Sequence, residues 1–245
     1  MIHRTITSER GTVHYWIAKN ANLTAQTIVF THGMTGTHEM FEKQTTFFQK
    51  DYTVITWDFA LHGASRPYFG FSYENNAKDL YAILASEGIE QVVLVGMSNG
   101  GYTSQEFAYW YPEKVLGLVA LDTTPFGPKY YKKWELHVLN LFTPLVRLFP
   151  ERFLRYMMAK SVTRTQYAFD LMQKMHAQYS KAEIIALTSL GYECLMAANK
   201  EVNFEFPVLI LLGEHDKALN VDKFCRRWAD DTGYALHFIE NAGHF

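Results

Sequence analysis

The chain has 245 residues, of which 48% are hydrophobic and 16% aromatic, and its formal net charge is −2 at pH 7. This length suits one domain with a large core and room for an insertion. The near-neutral charge and high hydrophobic content argue against a disordered chain and against a nucleic-acid-binding protein.

The N-terminal residues lack the apolar stretch of a signal peptide, and no apolar run has the length needed to span a bilayer. Only two cysteines occur, Cys194 and Cys225, which is too few for a disulfide framework. We therefore expect a cytoplasmic protein with no integral membrane contact, in which both cysteines are packing residues.

Short apolar runs rich in β-branched residues alternate with segments whose apolar residues have helical spacing. The runs predict strands at residues 13–18, 27–31, 52–57, 91–95, 115–121, 208–212 and 235–239. The other segments predict helices at residues 38–50, 75–86, 101–110 and 221–229. Apolar strands that alternate with helices are typical of a parallel sheet covered on both faces.

The alternation of strands and helices stops after Asp122 and resumes at Val208. The intervening segment predicts helices at residues 134–142, 151–159, 166–176 and 181–198. We therefore predict a helical cap at 124–199, inserted into an α/β core made of residues 1–123 and 200–245. The cap has an excess of Lys and Arg. One interpretation is that these residues lie on a solvated helical face. The alternative is that they attract an anionic substrate or an acidic membrane surface.

Residues 96–100 read Gly-Met-Ser-Asn-Gly, between a predicted strand and a predicted helix. A strand, a tight turn and a helix with serine at the apex form a nucleophile elbow. Glycine at positions 96 and 100 lets the strand and helix backbones approach closely, because no Cβ stands between them. The helix N-terminus below the serine favours developing negative charge. The pattern therefore predicts Ser98 as a nucleophile.

A serine hydroxyl needs a base to take its proton and an acid to orient that base. His244 lies just after the last predicted strand, and α/β sheets carry their chemistry at the carboxyl ends of their strands. His32 and His62 also follow strands, and we expect them to fix loops by hydrogen bonds. The predicted base is therefore His244.

Asp216 directly follows the predicted strand at 208–212 and is the predicted acid. Asp122, at the end of the strand after the elbow, is the main alternative, and Glu214 is the other. The order Ser98, Asp216, His244 is the hydrolase order, unlike that of the chymotrypsin or subtilisin types.

An oxyanion site needs two backbone donors, each worth roughly 3 kcal/mol of barrier. One is predicted to be the N–H of Asn99, the residue after the nucleophile. The other is predicted in the loop at 31–36, with the N–H of Met34 as the best candidate.

These motifs resemble the α/β-hydrolase superfamily, in particular its capped serine esterase, lipase and C–C hydrolase branch. The resemblance covers nearly the whole chain and includes His32-Gly33 with Gly36, Asp58 with residues 62–65, residues 96–100, residues 213–216 and residues 242–245. It implies a mostly parallel eight-stranded sheet with helices on both faces and a helical cap after the sixth strand. It also implies the triad and oxyanion assignments given above.

The chain departs from the pattern of this superfamily at two places. Leu61 stands where relatives usually have glycine, so we expect that turn to differ. The sequence stops at Phe245, one residue past the predicted base, where relatives usually add a helix. The C-terminal helix is therefore expected to be missing, either from a truncated chain or from a protein that manages without it.

Serine at the elbow disfavours the dehalogenase and epoxide hydrolase branches, which resemble this fold but use aspartate. The glycines around 96–101 do not make a dinucleotide-binding fingerprint, and no zinc motif occurs. We therefore predict no cofactor and no metal. The remaining chemistry is acyl transfer to water through an acyl-enzyme.

The expected partner is a small-molecule ester or related carbonyl compound, and the oligomeric state is left open. Candidate pocket residues are apolar or aromatic ones of the cap and the loop before it, although such residues usually pack a core. They are His32, Phe126, Tyr130, Trp134 and Met157. The first hypothesis is a serine carboxylesterase for small to medium apolar substrates. The alternatives are a C–C bond hydrolase of vinylogous diketones and a slow-turnover ligand receptor.

Overall fold

The computed structural model describes residues 1–131 and 147–245. Its strands are β1 Ile2–Ser8, β2 Gly11–Ala18, β3 Thr27–Thr31, β4 Thr53–Asp58, β5 Val92–Met97, β6 Val115–Leu121, β7 Val208–Gly213 and β8 Ala235–Ile239. They form one eight-stranded sheet in the order β1-β2-β4-β3-β5-β6-β7-β8. β2 pairs antiparallel with β1 and β4, whereas all pairs from β4 to β8 are parallel. The predicted α/β-hydrolase architecture is confirmed.

The described α-helices are α1 Glu42–Phe48, α2 Tyr73–Glu87, α3 Asn99–Trp110, α4 Glu151–Val162, α5 Gln166–His176, α6 Lys181–Ala198 and α7 Val221–Thr232. Several begin at side chains that satisfy free amides of the first turn. Ser72 accepts from the third residue of α2, and Ser180 forms a capping box with Glu183 at the start of α6. α2 ends at Gly88, whose φ of 67° is the left-handed conformation that glycine adopts easily.

Every predicted strand is present, with ends that differ by at most about two residues. The sequence patterns missed β1, because its side chains are almost all exposed and carry no apolar alternation. β1 lies at the sheet edge and pairs only with β2. The predicted helix at 134–142 lies outside the described residues.

Two layers of apolar side chains cover the sheet. One face packs against α2, α3 and α7 around Trp57, Leu80 and Leu94. The other face carries Phe30 and Met97, together with Leu171, Met172 and Met175 from α5. Each such side chain contributes roughly 1.5–3 kcal/mol when fully buried. Helix α5 thus shares a core with the strand that ends beside Ser98.

Three described helices, α4 to α6, lie between β6 and β7. Their position agrees with an insertion after the sixth strand. The division into a core and a separate cap with boundaries at 124 and 199 stays a prediction.

The turn after β4 holds Leu61 at a φ of 66°. This is the left-handed region that favours glycine and strains an ordinary residue by roughly 1–2 kcal/mol. The backbone N–H of Leu61 donates to the carbonyl of Ser65 at 3.1 Å, and its side chain packs on the main core. The surrounding contacts therefore hold a leucine in a glycine-type turn.

Candidate active site

Ser98 sits at the apex of a strained turn between β5 and α3. Its φ is 51° and its ψ is −119°, a conformation that costs of order 1–3 kcal/mol and persists only when neighbours hold it. Its N–H donates to Leu121 O at 2.9 Å, and the Thr123 hydroxyl donates to its carbonyl at 2.7 Å. Both partners come from the end of β6, so the neighbouring strand holds the turn.

The two glycines of the predicted elbow stand where backbones touch. A Cβ on Gly100 would lie 2.2 Å from the carbonyl oxygen of Thr31 and 2.3 Å from that of His32. A Cβ on Gly96 would lie 2.7 Å from the carbonyl oxygen of Gly100. Real Cβ atoms do not approach oxygen so closely, so the elbow requires glycine at both positions.

The structure brings Ser98, His244 and Asp216 into one hydrogen-bonded line. Ser98 Oγ lies 2.9 Å from His244 Nε2, and His244 Nδ1 lies 2.8 Å from Asp216 Oδ2. A carboxylate only accepts, so we assign the ring proton to Nδ1 and leave Nε2 to accept from the serine hydroxyl. Asp216 is only 6% exposed, and its Oδ1 accepts from Ala218 N at 2.8 Å. This arrangement can transfer a proton from serine to histidine.

The loops that follow β7 and β8 hold the acid and the base together. The N–H of His215 donates to Ala242 O at 2.8 Å. A Cβ on Gly213 would lie 2.1 Å from the carbonyl oxygen of Gly243. The second loop therefore crosses directly over the end of β7, and this crossing carries His244 to Asp216.

Asp122, the alternative acid, is a close neighbour of this pair. Its Oδ1 accepts from Gly213 N at 2.7 Å. Burial, and then the charge of Asp216, raise the pKa of Asp122 well above its usual range. Glu214, the other alternative, has a half-exposed side chain and accepts from Asn241 N at 2.9 Å. Of these carboxyl groups, Asp216 is the one bonded to His244.

Within residues 1–131 and 147–245, one group has metal-ligand proximity: Asp122, Asp216 and His244, whose ligand atoms all lie within 4.8 Å of one another. Each of the three already has a hydrogen-bond partner in the protein. Two are also the predicted acid and base. We therefore still predict that Asp122, Asp216 and His244 bind no metal, and this prediction is untested.

The loop with the predicted oxyanion donor runs beside the serine. A Cβ on Gly33 would lie 3.3 Å from Ser98 Cβ. A Cβ on Gly191 of α6 would lie 2.3 Å from Met34 Cε and 3.1 Å from Asn99 Nδ2. Asn99 is the first residue of α3, where backbone N–H groups have no partner within the helix. Met34 and Asn99 thus lie side by side at the elbow, and their donor roles stay predictions.

The predicted pocket residues are dispersed. Phe126 and Tyr130 are 1% and 4% exposed within the main core. Met157 on α4 is 46% exposed, and Trp134 lies outside the described residues. His32 is fully buried. The pocket role of these residues stays a prediction.

His32 and His62 both use their ring nitrogens to bind loop carbonyls. His32 Nδ1 lies 2.8 Å from Gly33 O, and His62 Nδ1 lies 2.9 Å from Ala60 O. Burial lowers the pKa of His32 to about 4 and that of His62 to about 3. Both rings are therefore neutral at pH 7 and donate through Nδ1.

The two cysteines are free thiols. Burial raises the pKa of Cys194 to about 11 and raises that of Cys225 further above its usual range. Since the thiolate is the reactive form, both are poor nucleophiles at neutral pH.

Sequence reasoning missed several residues that hold the site. Thr123 could have been found, because it follows a strand end and the adjacent Asp122. Thr35, His176 and Tyr179 gave no signal. His176 contacts Thr35 across 141 positions of sequence, a separation that no local pattern reports.

Residues 26–245 match a family model described as alpha/beta hydrolase fold. A 2-hydroxy-6-oxononadienedioate/2-hydroxy-6-oxononatrienedioate hydrolase of Cupriavidus pinatubonensis is 25% identical over 99% of this chain and 89% of its own length. The sn-1-specific diacylglycerol lipase ABHD11 of Mus musculus is 34% identical over 44% of this chain and 36% of its own length. The chain spans 34–44% of the length of several curated relatives that it matches.

Among solved structures, a thermophilic esterase from Thermogutta terrifontis superposes with a TM-score of 0.78 at 20% identity. The match covers 100% of this chain and 92% of the esterase. At this identity the likeness concerns the fold alone. Separately, none of the helices in the described ranges has the length and apolar character needed to cross a bilayer.

Proposed function

The chain belongs to the alpha/beta hydrolase fold family, and on that premise we propose that it is a serine hydrolase that cleaves carboxylic esters with small to medium apolar groups. The family shares a fold but not one activity, so the proposal must rest on the site. Its specific parts are the triad Ser98, Asp216 and His244, and the amides of Met34 and Asn99.

One observation carries the proposal: Ser98 Oγ, His244 and Asp216 are joined by hydrogen bonds of 2.9 and 2.8 Å. In the proposed reaction, Ser98 Oγ attacks the ester carbonyl carbon while His244 Nε2 takes its proton. The imidazolium, stabilised by Asp216, then gives this proton to the leaving alkoxide, and an acyl-enzyme remains. Water attacks the acyl group, again through His244, and releases the acid and free Ser98.

The oxyanion formed at each attack is assigned to the N–H groups of Met34 and Asn99. Their position supports this, since Asn99 directly follows Ser98 and a Cβ on Gly33, the residue before Met34, would lie 3.3 Å from Ser98 Cβ. The N-terminus of α3 adds a favourable dipole for negative charge at Ser98. No cofactor is needed, because the three side chains move every proton.

A C–C bond hydrolase of vinylogous diketones is the second candidate. The observation that favours it is the Cupriavidus relative, which aligns with nearly the whole of this chain and carries the name of a dienedioate hydrolase. The same serine, base and acid would serve this chemistry. We propose a cytoplasmic setting for either activity, which the two free thiols support.

The test measures hydrolysis of p-nitrophenyl acetate and butyrate by the parent protein and by Ser98→Ala. We expect the variant to lose about 10³-fold or more of kcat, because the nucleophile is removed. Ser161→Ala is the matched control, since the hydroxyl of this serine donates within its own helix, to Met158 O at 2.8 Å.

Ester turnover that survives Ser98→Ala would overturn the proposal. No ester turnover, but serine-dependent cleavage of a vinylogous diketone, would favour the second candidate. Neither activity, with tight binding of a ligand, would favour a receptor.

A further inference from the structure

The loop at 33–36 holds a strained residue next to the proposed oxyanion donor. Thr35 has a φ of 59°, in the left-handed region that a β-branched residue rarely adopts. The loop closes by one backbone hydrogen bond, from Gly36 N to Gly33 O at 3.1 Å. Strain of this kind persists only where neighbours impose it, so other contacts must fix the loop.

The first such contact comes from His176 at the end of α5. Its Nε2 lies 3.0 Å from Thr35 Oγ1, and Thr35 Oγ1 donates to the carbonyl of Met34 at 2.6 Å. A hydroxyl has one proton, so His176 Nε2 must donate to Thr35. Burial, and then the charge of Arg155, lower the pKa of His176 to about 4. The ring is therefore neutral at pH 7 and carries its one proton on Nε2.

The second contact comes from Tyr179, three residues further along the chain. Its hydroxyl donates to Gly36 O at 2.9 Å and accepts from Gly63 N at 2.9 Å. The residue is 1% exposed, so water does not compete for these bonds. One hydroxyl thus ties the 33–36 loop to the loop after β4.

The segment that carries both side chains is itself held by Arg155 of α4. Arg155 donates from Nη1 to the carbonyl of His176 at 2.6 Å and from Nη2 to the carbonyl of Tyr179. Charged donors make the stronger hydrogen bonds in proteins. Arg155 therefore holds the segment 176–179 in place, and this segment positions the loop at 33–36.

We propose that His176 and Tyr179 are positioning residues for the oxyanion site: through Thr35 and Gly36 they set the direction of the Met34 amide. This inference rests on the proposed function. His176 acts on the carbonyl side of Met34, and Tyr179 acts on the end of the same turn. The helices between β6 and β7 thus complete the oxyanion site from outside the sheet, without touching the reacting atoms.

The test compares His176→Phe and Tyr179→Phe with the parent protein, using p-nitrophenyl acetate as substrate. Loss of an oxyanion donor costs about 10²–10³ in kcat, and a misdirected donor costs less. We expect each variant to lower kcat about 10- to 100-fold with KM changed less than about 3-fold. His176→Gln keeps an N–H donor and should recover kcat to within about 5-fold of the parent.

A trifluoromethyl ketone that adds to Ser98 supplies a second measurement, because its hemiketal oxyanion occupies the oxyanion site. Its inhibition constant should rise in His176→Phe by about the same factor as kcat falls. Leu154→Ala is the control for general loosening of the inserted helices. Leu154 is a buried residue of α4, and its apolar side chain cannot form a hydrogen bond to the loop at 33–36. It should lower the melting temperature while leaving kcat and ketone affinity within about 2-fold.

Amide hydrogen exchange separates this inference from the proposed function, because it needs no turnover. In His176→Phe, the amides of residues 34–36 should exchange about 10-fold faster than in the parent. Unchanged exchange, or unchanged ketone affinity in a folded His176→Phe variant, would overturn the inference. If ester hydrolysis survives Ser98→Ala, the proposed function fails, while the exchange rates still decide whether His176 holds the loop.

Discussion

The site has two sides that are built in different ways. The core side comprises β3, β5, α3 and the loops after β6, β7 and β8, and its backbone segments pack directly against one another at the elbow. A Cβ on Gly100 would lie 2.2 Å from the backbone oxygen of Thr31. The insertion side comprises α4 to α6 and the turns between them, and it meets the loop at 33–36 through side chains. A Cβ on Gly191 would meet the ends of two side chains, Met34 Cε at 2.3 Å and Asn99 Nδ2 at 3.1 Å.

The two sides also differ in charge. The core side holds the buried carboxyl groups of Asp122 and Asp216. The insertion side reaches the loop at 33–36 with a neutral imidazole and a phenol. The core side therefore holds the proposed triad at rigid distances. The insertion side adjusts one loop through bonds that carry no net charge.

The largest expected effect belongs to the core side. Asp216→Asn should lower kcat about 10³- to 10⁴-fold for ester hydrolysis, because His244 loses the carboxylate that orients it and stabilises its charge. Initial rates at saturating substrate measure this. Glu214→Gln is the matched control and should stay within about 3-fold, since its half-exposed side chain accepts a hydrogen bond from Asn241 N. A larger loss in Asp122→Asn than in Asp216→Asn would give the acid role to Asp122.

The next effect tests the rigidity of the core side. Gly100→Ala should destabilise the protein by about 3 kcal/mol or more, because the new methyl group collides with two backbone carbonyls at the end of β3. Urea unfolding measures the loss. Gly88→Ala is the control: its φ is 67° but nothing lies within 4 Å of the added Cβ. The control should cost only about 1 kcal/mol of backbone strain. Equal losses of stability in Gly100→Ala and Gly88→Ala would show that backbone contacts at the elbow do not require glycine at position 100.

A smaller, pH-dependent effect tests the buried charge of the core side. The pKa of Asp122 is raised in the folded chain by burial and by Asp216, so folding favours its protonated form. Its stabilising contribution is present at acid pH and is lost as pH rises from about 4, the unfolded value, towards the raised folded value. Asp122→Asn removes the titrating carboxyl group, so the variant does not lose this stability as pH rises. Its free energy of unfolding, relative to the parent, should therefore increase from pH 5 to pH 8, by at most about 1.4 kcal/mol per pH unit.

Urea unfolding at several pH values measures this trend for Asp122→Asn. Leu195→Ala removes a buried apolar side chain and no titratable group, so its loss of stability should be the same at each pH. A difference between Asp122→Asn and the parent that does not vary with pH would contradict the raised pKa.

The smallest effect belongs to the insertion side. Gly191→Ala should change the free energy of unfolding by less than about 1 kcal/mol, because the helix gains propensity while the flexible end of Met34 moves aside. KM for p-nitrophenyl butyrate should change by a few-fold, since the methyl group lies between Met34 and Asn99. A loss as large as that of Gly100→Ala would remove the distinction between a rigid and an adjustable side.

Much of the sheet and of the elbow could be predicted, because each depends on a local pattern. Apolar runs followed by turns marked the parallel strands, and Gly96, Ser98 and Gly100 marked the turn between β5 and α3. β1 could not be predicted, since an exposed edge strand needs no apolar face. The pocket residues were hard to predict for the opposite reason: Phe126 looks the same in a core as in a pocket.

The sequence by itself determined the order of the described strands and helices from β2 onward, and it marked strand ends with a serine, two aspartates and a histidine. Only the tertiary structure decided that Asp216 Oδ2 lies 2.8 Å from His244 Nδ1 while Asp122 bonds to Gly213. The hydrogen bond between His176 and Thr35, which are 141 positions apart in the sequence, also depends on the tertiary structure. The physical reason is that period and composition report which face of an element is buried, whereas the direction of one side chain depends on how distant elements pack.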